Sequence, residues 1–324
     1  MTMNLEGCEF LLTFKCVAKC SHCCYRASPL RHGVITVDDF KCYMTVLTRE
    51  QSLNWITFNG GEPFLFYKTL KRCIEIAHKQ GQKEIGVFTS GYWGGNQTNA
   101  RRKLHELKKA GLSSICFSVD AFHQEFVPFR SVRTAINAAR TLDFNKLIVT
   151  SRFLGSVDLR NPLNVKTEAL LERLSPSEDV TIERKPLYVE GRAADLLANY
   201  LRHTAGSPRG TCILPLRAGG TLKNPTVIQI DPSGNVTVCP GLCIGNAKAE
   251  PLSRILGEYE CEHHPIMRLL VQRGPSKLSE LPEARNAGAL AEWVSACHTC
   301  YELRRHLRAC YPEFLAPESC YSEK

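Results

Sequence analysis

Cys16-Val-Ala-Lys-Cys20-Ser-His-Cys23 follows directly on the apolar segment Cys8-Glu-Phe-Leu-Leu-Thr-Phe-Lys15. The apolar segment is short enough to be one buried strand. The cysteines therefore sit just past a strand end, where α/β folds place their chemistry. Their C-x3-C-x2-C spacing holds three thiolates on one short loop. A [4Fe–4S] cluster bound this way keeps one iron without a protein ligand, open to a small molecule. Ferredoxin-type clusters and structural zinc sites close with four ligands. A zinc site completed by His22 or Cys24 is the plain alternative.

A second strand-like run, Leu53-Asn-Trp-Ile-Thr-Phe58, leads into Asn59-Gly60-Gly61-Glu62-Pro63. Two glycines let the backbone approach a ligand closely, and the carboxylate that follows suits an ammonium group. A tight turn ahead of a helix is the simpler reading of the same residues.

With both motifs in view, the chain resembles the radical S-adenosylmethionine (SAM) superfamily, on Cys16, Cys20, Cys23 and Gly60-Gly61-Glu62-Pro63. The residue before the third cysteine is usually aromatic there; His22 occupies it here. The resemblance implies that SAM chelates the open iron through its amino and carboxylate groups, and that the Gly60–Glu62 turn holds the amino group. It implies reductive cleavage to a 5′-deoxyadenosyl radical, which abstracts hydrogen from a substrate. An electron donor such as flavodoxin or ferredoxin is the expected partner. The family also places cofactor contacts at strand ends, which here are Ser90, Ser118 and Arg152; an Arg can pair with the SAM carboxylate.

The 324 residues, 44% of them hydrophobic, suffice for a sizeable core in one or two domains. No apolar run approaches the ~18 residues of a membrane span. Met1-Thr-Met-Asn-Leu-Glu-Gly7 has no basic flank or long apolar stretch, so a signal peptide is not expected. Sixteen cysteines without an export signal favour metal ligation over disulfides and a cytoplasmic protein. The net charge of +9 suits an acidic partner, including an acidic peptide, but no dense Lys/Arg block points to nucleic acid.

Strand-like segments at 8–15, 53–58, 84–89, 114–119, 146–152 and 180–185 alternate with helical periodicity at 36–49, 67–80, 97–110, 130–142 and 165–174. Such βα alternation predicts a parallel sheet with right-handed crossovers. The family resemblance turns this into a partial (β/α)6 TIM-like barrel over residues 1–205. A Gly/Pro/Thr-rich stretch at 203–225 suggests a boundary, with a cysteine-rich C-terminal region over 206–324. Within it, Thr226-Val-Ile-Gln-Ile230 and Val236-Thr-Val238 flank a Gly/Asn-rich turn and predict a β-hairpin, and a helix is expected around 287–296.

Cys297-His-Thr-Cys300 can bring two thiolates to one metal, and Cys212 and Cys239 bracket the hairpin. These four suit zinc as well as an iron–sulfur cluster. They resemble the SPASM and twitch extensions of radical SAM enzymes, with Asp231 to Gly234 at the turn and Gly245-Asn246 after it. That resemblance implies a single auxiliary [4Fe–4S] cluster, with Cys243, Cys310 and Cys320 as candidates for a second or none. Cys42, Cys73 and Cys116 read as buried apolar thiols.

A closer resemblance is to epipeptide-type radical SAM epimerases. It rests on Cys23-Cys24, on Ser90-Gly-Tyr-Trp-Gly94 and on Ser118-Val-Asp-Ala-Phe-His123 followed by Phe126-Val127. It implies a ribosomally made peptide as substrate, with epimerisation or cross-linking as outcome. Those epimerases place a hydrogen-donating cysteine directly after the hairpin-end ligand. Pro240 stands there in this chain, and Cys243 is the candidate catalytic donor. An activase that installs a radical on a partner enzyme, and a non-catalytic iron–sulfur or zinc redox-sensing module, are the competing readings.

Overall fold

A computed structural model describes residues 3–51, 53–174, 179–205, 212, 220–287 and 292–323. Most of the 203–225 boundary stretch, and residues 288–291 of the expected 287–296 helix, lie outside them. Six strands carry the first two thirds: β1 (Gly7–Thr13), β2 (Trp55–Gly60), β3 (Glu84–Thr89), β4 (Ser114–Ser118), β5 (Lys146–Phe153) and β6 (Thr181–Pro186). They lie side by side in chain order and pair in parallel throughout. Helices α1 (Val37–Glu50), α2 (Tyr67–Lys79), α3 (Gln97–Ala110), α4 (Phe129–Arg140) and α5 (Pro162–Glu172) fill the crossovers. This is the parallel sheet expected from the alternation, in the partial barrel that the resemblance implied.

Local chemistry sets the helix ends. Thr36, Asn96 and Asn161 each cap a helix by accepting a backbone N–H three residues on. Gly111 stops α3 at φ +118, a conformation only glycine adopts cheaply. Between sheet and helices, Phe10 on β1 meets Phe40 of α1 edge-on at 4.7 Å and stacks on Phe58 of β2 at 5.9 Å. All three are fully buried, and this aromatic cluster fixes α1 across the first two strands.

The remaining strands do not form a separate sheet. After α6 (Arg192–Leu196) and the short β7 (Thr204–Ala205), strand β8 (Val227–Ile230) pairs in parallel with β1 on the side opposite β2. Strands β9 (Asn235–Cys239) and β10 (Leu242–Asn246) continue antiparallel, giving one nine-stranded sheet ordered β10-β9-β8-β1-β2-β3-β4-β5-β6. The expected hairpin is β8–β9. Its turn is tied by Asp231, whose Oδ1 accepts the N–H groups of Ser233 at 2.7 Å and Asn235 at 3.1 Å, with Gly234 at φ +85. Asn246 seals the turn onto β10, donating to Ser233 O at 3.0 Å and Asn235 Oδ1 at 3.1 Å.

Beyond the sheet come α7 (Leu252–Gly257), α8 (Met267–Arg273), the two-residue β11 (Glu292–Trp293), which pairs with β7, and α9 (Ala296–Leu307). The helix expected before Cys297 therefore begins at Ala296 and carries Cys297 and Cys300 on its own first turns. The reason is a cap: Ser295 is extended and its hydroxyl accepts the His298 N–H at 3.1 Å. Cys42 is also corrected. It lies on the exposed side of α1, while Cys73 and Cys116 are buried. No described helix is long and apolar enough to cross a membrane.

Candidate functional site

Strand β1 ends at Thr13, and the chain then loops over the C-terminal edge of the sheet with Cys16, Cys20 and Cys23. The Gly60–Glu62 turn docks against this loop as though extending the β1–β2 ladder. Gly61 N–H donates to Thr13 O at 2.6 Å and Glu62 N–H to Lys15 O at 2.9 Å. The approach is so close that a Cβ on Gly61 would lie 2.2 Å from Lys15 O. At Gly60 a Cβ would lie 2.4 Å from Thr13 O, and φ there is +115. Both glycines are needed for contact between the two motifs, besides any contact with a ligand.

Cys16, Cys20 and Cys23 line one small cavity together with Gly60, Gly61, Ser90, Ser118 and His123. This brings the residues of the first cysteine motif, the glycine turn and two of the expected strand-end positions to one place. Burial pushes the Cys16 thiol up to about 12, with Glu62 adding to the effect, and Cys20 well above its ordinary value. Such thiols ionise when a metal supplies the opposing charge. Among the described residues, the group of three or more metal-ligating side chains whose ligand atoms all lie within 4.8 Å of one another is Cys20, His22 and His123. Thiolates on a tetrahedral zinc would be roughly 3.8 Å apart. Neither the Cys16/Cys20/Cys23 set nor the Cys212/Cys239/Cys297/Cys300 set is among the groups within 4.8 Å.

Glu62 differs from the expectation that it meets an ammonium group. Its carboxylate is fully buried. Oε1 accepts from Phe64 N at 3.1 Å and Thr89 Oγ1 at 2.9 Å, and Oε2 accepts from Ser90 N at 2.8 Å and Ser90 Oγ at 2.5 Å. It lies behind the turn and locks the end of β3 to it. Burial raises its carboxyl above the ordinary value, opposed by these donors. Trp93 serves the same corner: its ring stacks on Phe64 at 4.3 Å and its Nε1–H donates to Thr89 at 3.0 Å.

A second, larger cavity of about 340 Å³ opens from the first and shares His22, Cys23, Gly60, Ser118 and His123 with it. Glu9 of β1, Arg152 of β5, Lys185 of β6 and Cys239 of β9 line its wall. Strands far apart in the sheet order thus face one space, so the sheet is curled. Asp120 organises the floor. Its Oδ1 accepts His123 N at 2.9 Å and pairs with His123 Nδ1 at 2.8 Å; Oδ2 accepts Arg152 N at 3.2 Å. Burial pushes this carboxyl up, but His123 outweighs it and holds Asp120 well below the carboxylate range. Burial lowers His22 to about 3, so its ring is neutral, and its Nδ1 has no hydrogen-bond partner. Asp120 lies inside the Ser118–His123 segment, but nothing local marks it as the organising group.

Two buried arginines hold the cysteine loop from behind. Arg192 donates to Cys20 O at 2.7 Å and Ala27 O at 3.0 Å, and Arg26 donates to Gly191 O at 3.0 Å. Both reach Glu323 near the C-terminus, at 2.9 and 3.1 Å. No local pattern marks this clasp, since its partners are up to 297 residues apart.

Cys212 lies near Cys300, Cys239 and Cys297, and Cys239 lines the larger cavity. Burial, and then the charges of Cys300, Cys239 and Cys297, raise the Cys212 thiol. Cys243 is placed elsewhere. It is buried, its Sγ donates to Gly245 O at 3.1 Å, and it lines neither cavity. Irregular register in β10 on both sides of Cys243 turns this thiol away from the cavity. Cys24 does line the larger cavity.

Residues 10–153 match the Radical SAM superfamily. This chain carries a radical SAM domain. The cofactors of such a domain are a [4Fe–4S] cluster and SAM. Over 129 residues the chain is 29% identical to YydG of Bacillus subtilis (strain 168), a protein named for peptide biosynthesis, covering 40% of each. Over 148 residues it is 28% identical to the human Molybdenum cofactor biosynthesis protein 1, covering 43% of this chain and 22% of the relative. The chain spans less than half the length of these curated relatives. In fold, it is similar to Streptococcus suis SuiB bound to SAM, with a TM-score of 0.52 at 11% identity over 99% of this chain and 78% of that one. It is likewise similar to anSMEcpe with bound AdoMet, with a TM-score of 0.50 at 12% identity over 95% and 97%. The parallel sheet continues past the matched residues through β6.

Proposed function

We propose that this chain is a radical SAM enzyme that abstracts hydrogen from a carbon of a ribosomally made peptide. The observation that carries the reading is one cavity lined by Cys16, Cys20, Cys23, Gly60, Gly61, Ser90 and Ser118, opening into a larger one. Cys16, Cys20 and Cys23 hold the cluster. The Gly60–Gly61 backbone, Ser90, Ser118 and His22 surround SAM, and Arg152 faces its carboxylate or the substrate. When bound, cluster and SAM supply a carbon-centred radical for hydrogen abstraction. The chain's residues orient the reactants and exclude water. Cys212, Cys239, Cys297 and Cys300 hold an auxiliary metal centre. The similarity to YydG and the size of the second cavity support a peptide substrate.

Within this reading epimerisation is the favoured outcome, with Cys24 as donor. Cys23 and Cys239, the other thiols on the larger cavity, are assigned to metals, which leaves Cys24 facing the substrate space. Its S–H returns one hydrogen atom to the peptide carbon, and the sulfur radical left behind takes up one electron and one proton, the electron coming from the external donor. The test is 5′-deoxyadenosine formation by the reconstituted, reduced protein. It is expected from the native chain and lost in Cys16→Ala; equal product from both would refute the assignment.

A further inference from the structure

Helix α9 places Cys297, Cys300 and Arg304 at positions i, i+3 and i+7, on one face. Arg304 is 1% exposed and is one of the largest fully buried side chains in the protein. Its Nη1 donates to Pro240 O at 2.9 Å and to Tyr321 Oη at 3.0 Å, and Nε has no hydrogen-bond partner. Pro240 directly follows Cys239, so the guanidinium spans from the helix that carries two of the thiols to the strand end that carries a third. A buried cation bonded to neutral oxygens is costly unless an anion lies nearby. Tyr321 is not that anion, because burial keeps its phenol protonated. Burial opposes the charge on Arg304; the Tyr321 phenol oxygen favours it most, followed by the thiols of Cys300 and Cys239 and then Glu190.

We propose that Arg304 is the built-in counter-cation of the four-thiolate centre, and that its charge sets the centre's loading and reduction potential. The inference rests on the auxiliary-centre reading above. Four thiolates around a metal or cluster carry net negative charge, and reduction adds one more. A fixed cation beside them favours the ionised ligands and the reduced state.

The experiment uses the full chain with Cys16, Cys20 and Cys23 all replaced by Ala, so that only the second centre loads. Iron, sulfide and zinc per chain, and the midpoint potential followed by electron paramagnetic resonance, are measured after anaerobic reconstitution. Arg304→Lys, which keeps the charge, is expected to match the parent in both. Arg304→Gln, which keeps donors but not charge, is expected to load less iron or to shift the potential negative by at least 59 mV, a tenfold change in a one-electron equilibrium. If Arg304→Gln matches the parent, or if zinc fills the site in place of iron, the proposal is overturned. If Arg304→Gln fails to fold, Arg304→Lys decides: a parental potential supports the proposal, and a tenfold shift overturns it. Adding Cys297→Ala and Cys300→Ala to the same background must abolish the metal. Persistence of the metal there refutes the auxiliary centre itself, an outcome distinct from a failure of Arg304's role.

Discussion

Ser90 closes on Glu62 twice, through its N–H at 2.8 Å and its hydroxyl at 2.5 Å, both to the same carboxylate oxygen. The pair joins the ends of β2 and β3 beneath the small cavity. Each charge-assisted bond contributes about 1.5–3 kcal/mol when buried. Ser90→Ala is therefore expected to weaken SAM binding roughly tenfold, the equivalent of ~1.4 kcal/mol, because the glycine turn loses its brace. Equilibrium dialysis with SAM on the reconstituted protein checks this, and unchanged affinity would show the brace to be dispensable.

Gly61→Ala should be more severe than its one added methyl suggests. The new Cβ would meet backbone at Lys15 O, which no side-chain movement relieves. The turn must then withdraw from the cysteine loop. Retained iron with loss of SAM cleavage is the expected pattern, read from metal analysis beside product chromatography. Native turnover in this variant would contradict the docking described.

Cys24 and Cys243 make opposite predictions in heavy water. If the product is an epimer, Cys24→Ser should abolish deuterium incorporation at the new centre, and Cys243→Ser should leave it intact. Peptide mass spectrometry with chirality analysis separates the two. The reverse result would return the donor role to β10.

Glu323 bridges the two arginines that hold the cysteine loop. Glu323→Gln removes the shared negative charge between buried guanidiniums, and faster loss of the first cluster to a chelator is expected. The iron-release rate measures this. Burial pushes the Glu323 carboxyl up, but the bond and charge from Arg192 and then Arg26 prevail and lower it. The clasp is thus fully formed above about pH 4.3, the ordinary Glu value, and fails as pH falls through the lowered one.

His264 predicts a different acid response. Burial lowers it to about 4, outweighing its bond to Cys243 O at 2.9 Å. In the unfolded chain it titrates near 6.5. Between those values the unfolded state binds more protons, so stability should drop as pH falls from about 6.5 to 4. Denaturation midpoints of the native chain and His264→Gln across that window check it; the substitution should flatten the slope.

The sheet and its helices were legible because parallel strands buried on both faces read as apolar runs, and helices show their own period. That Cys16, Cys20, Cys23, Gly60 and Gly61 come to one cavity was legible because each motif's spacing is local. Glu62 was misread because its donors, Thr89 and Ser90, arrive from another strand. Cys243 was misplaced because irregular register, which no spacing reveals, turns its side chain. The helix around Cys297 starts later than its apolar residues suggest for a local reason: Ser295 is an ordinary cap signal.

Strand β8 has a consequence for how the molecule assembles. Gly7 to Phe10 pair with Trp55 to Phe58 on one side and with Val227 to Ile230 on the other. Strand β1 is therefore completed by one made more than two hundred residues later. Pairings so distant in sequence are slow to form. Until they do, β1 presents an open apolar edge of the kind that invites association with other chains. Folding should be gated by the arrival of β8, and chains stalled before it should be the species that aggregate.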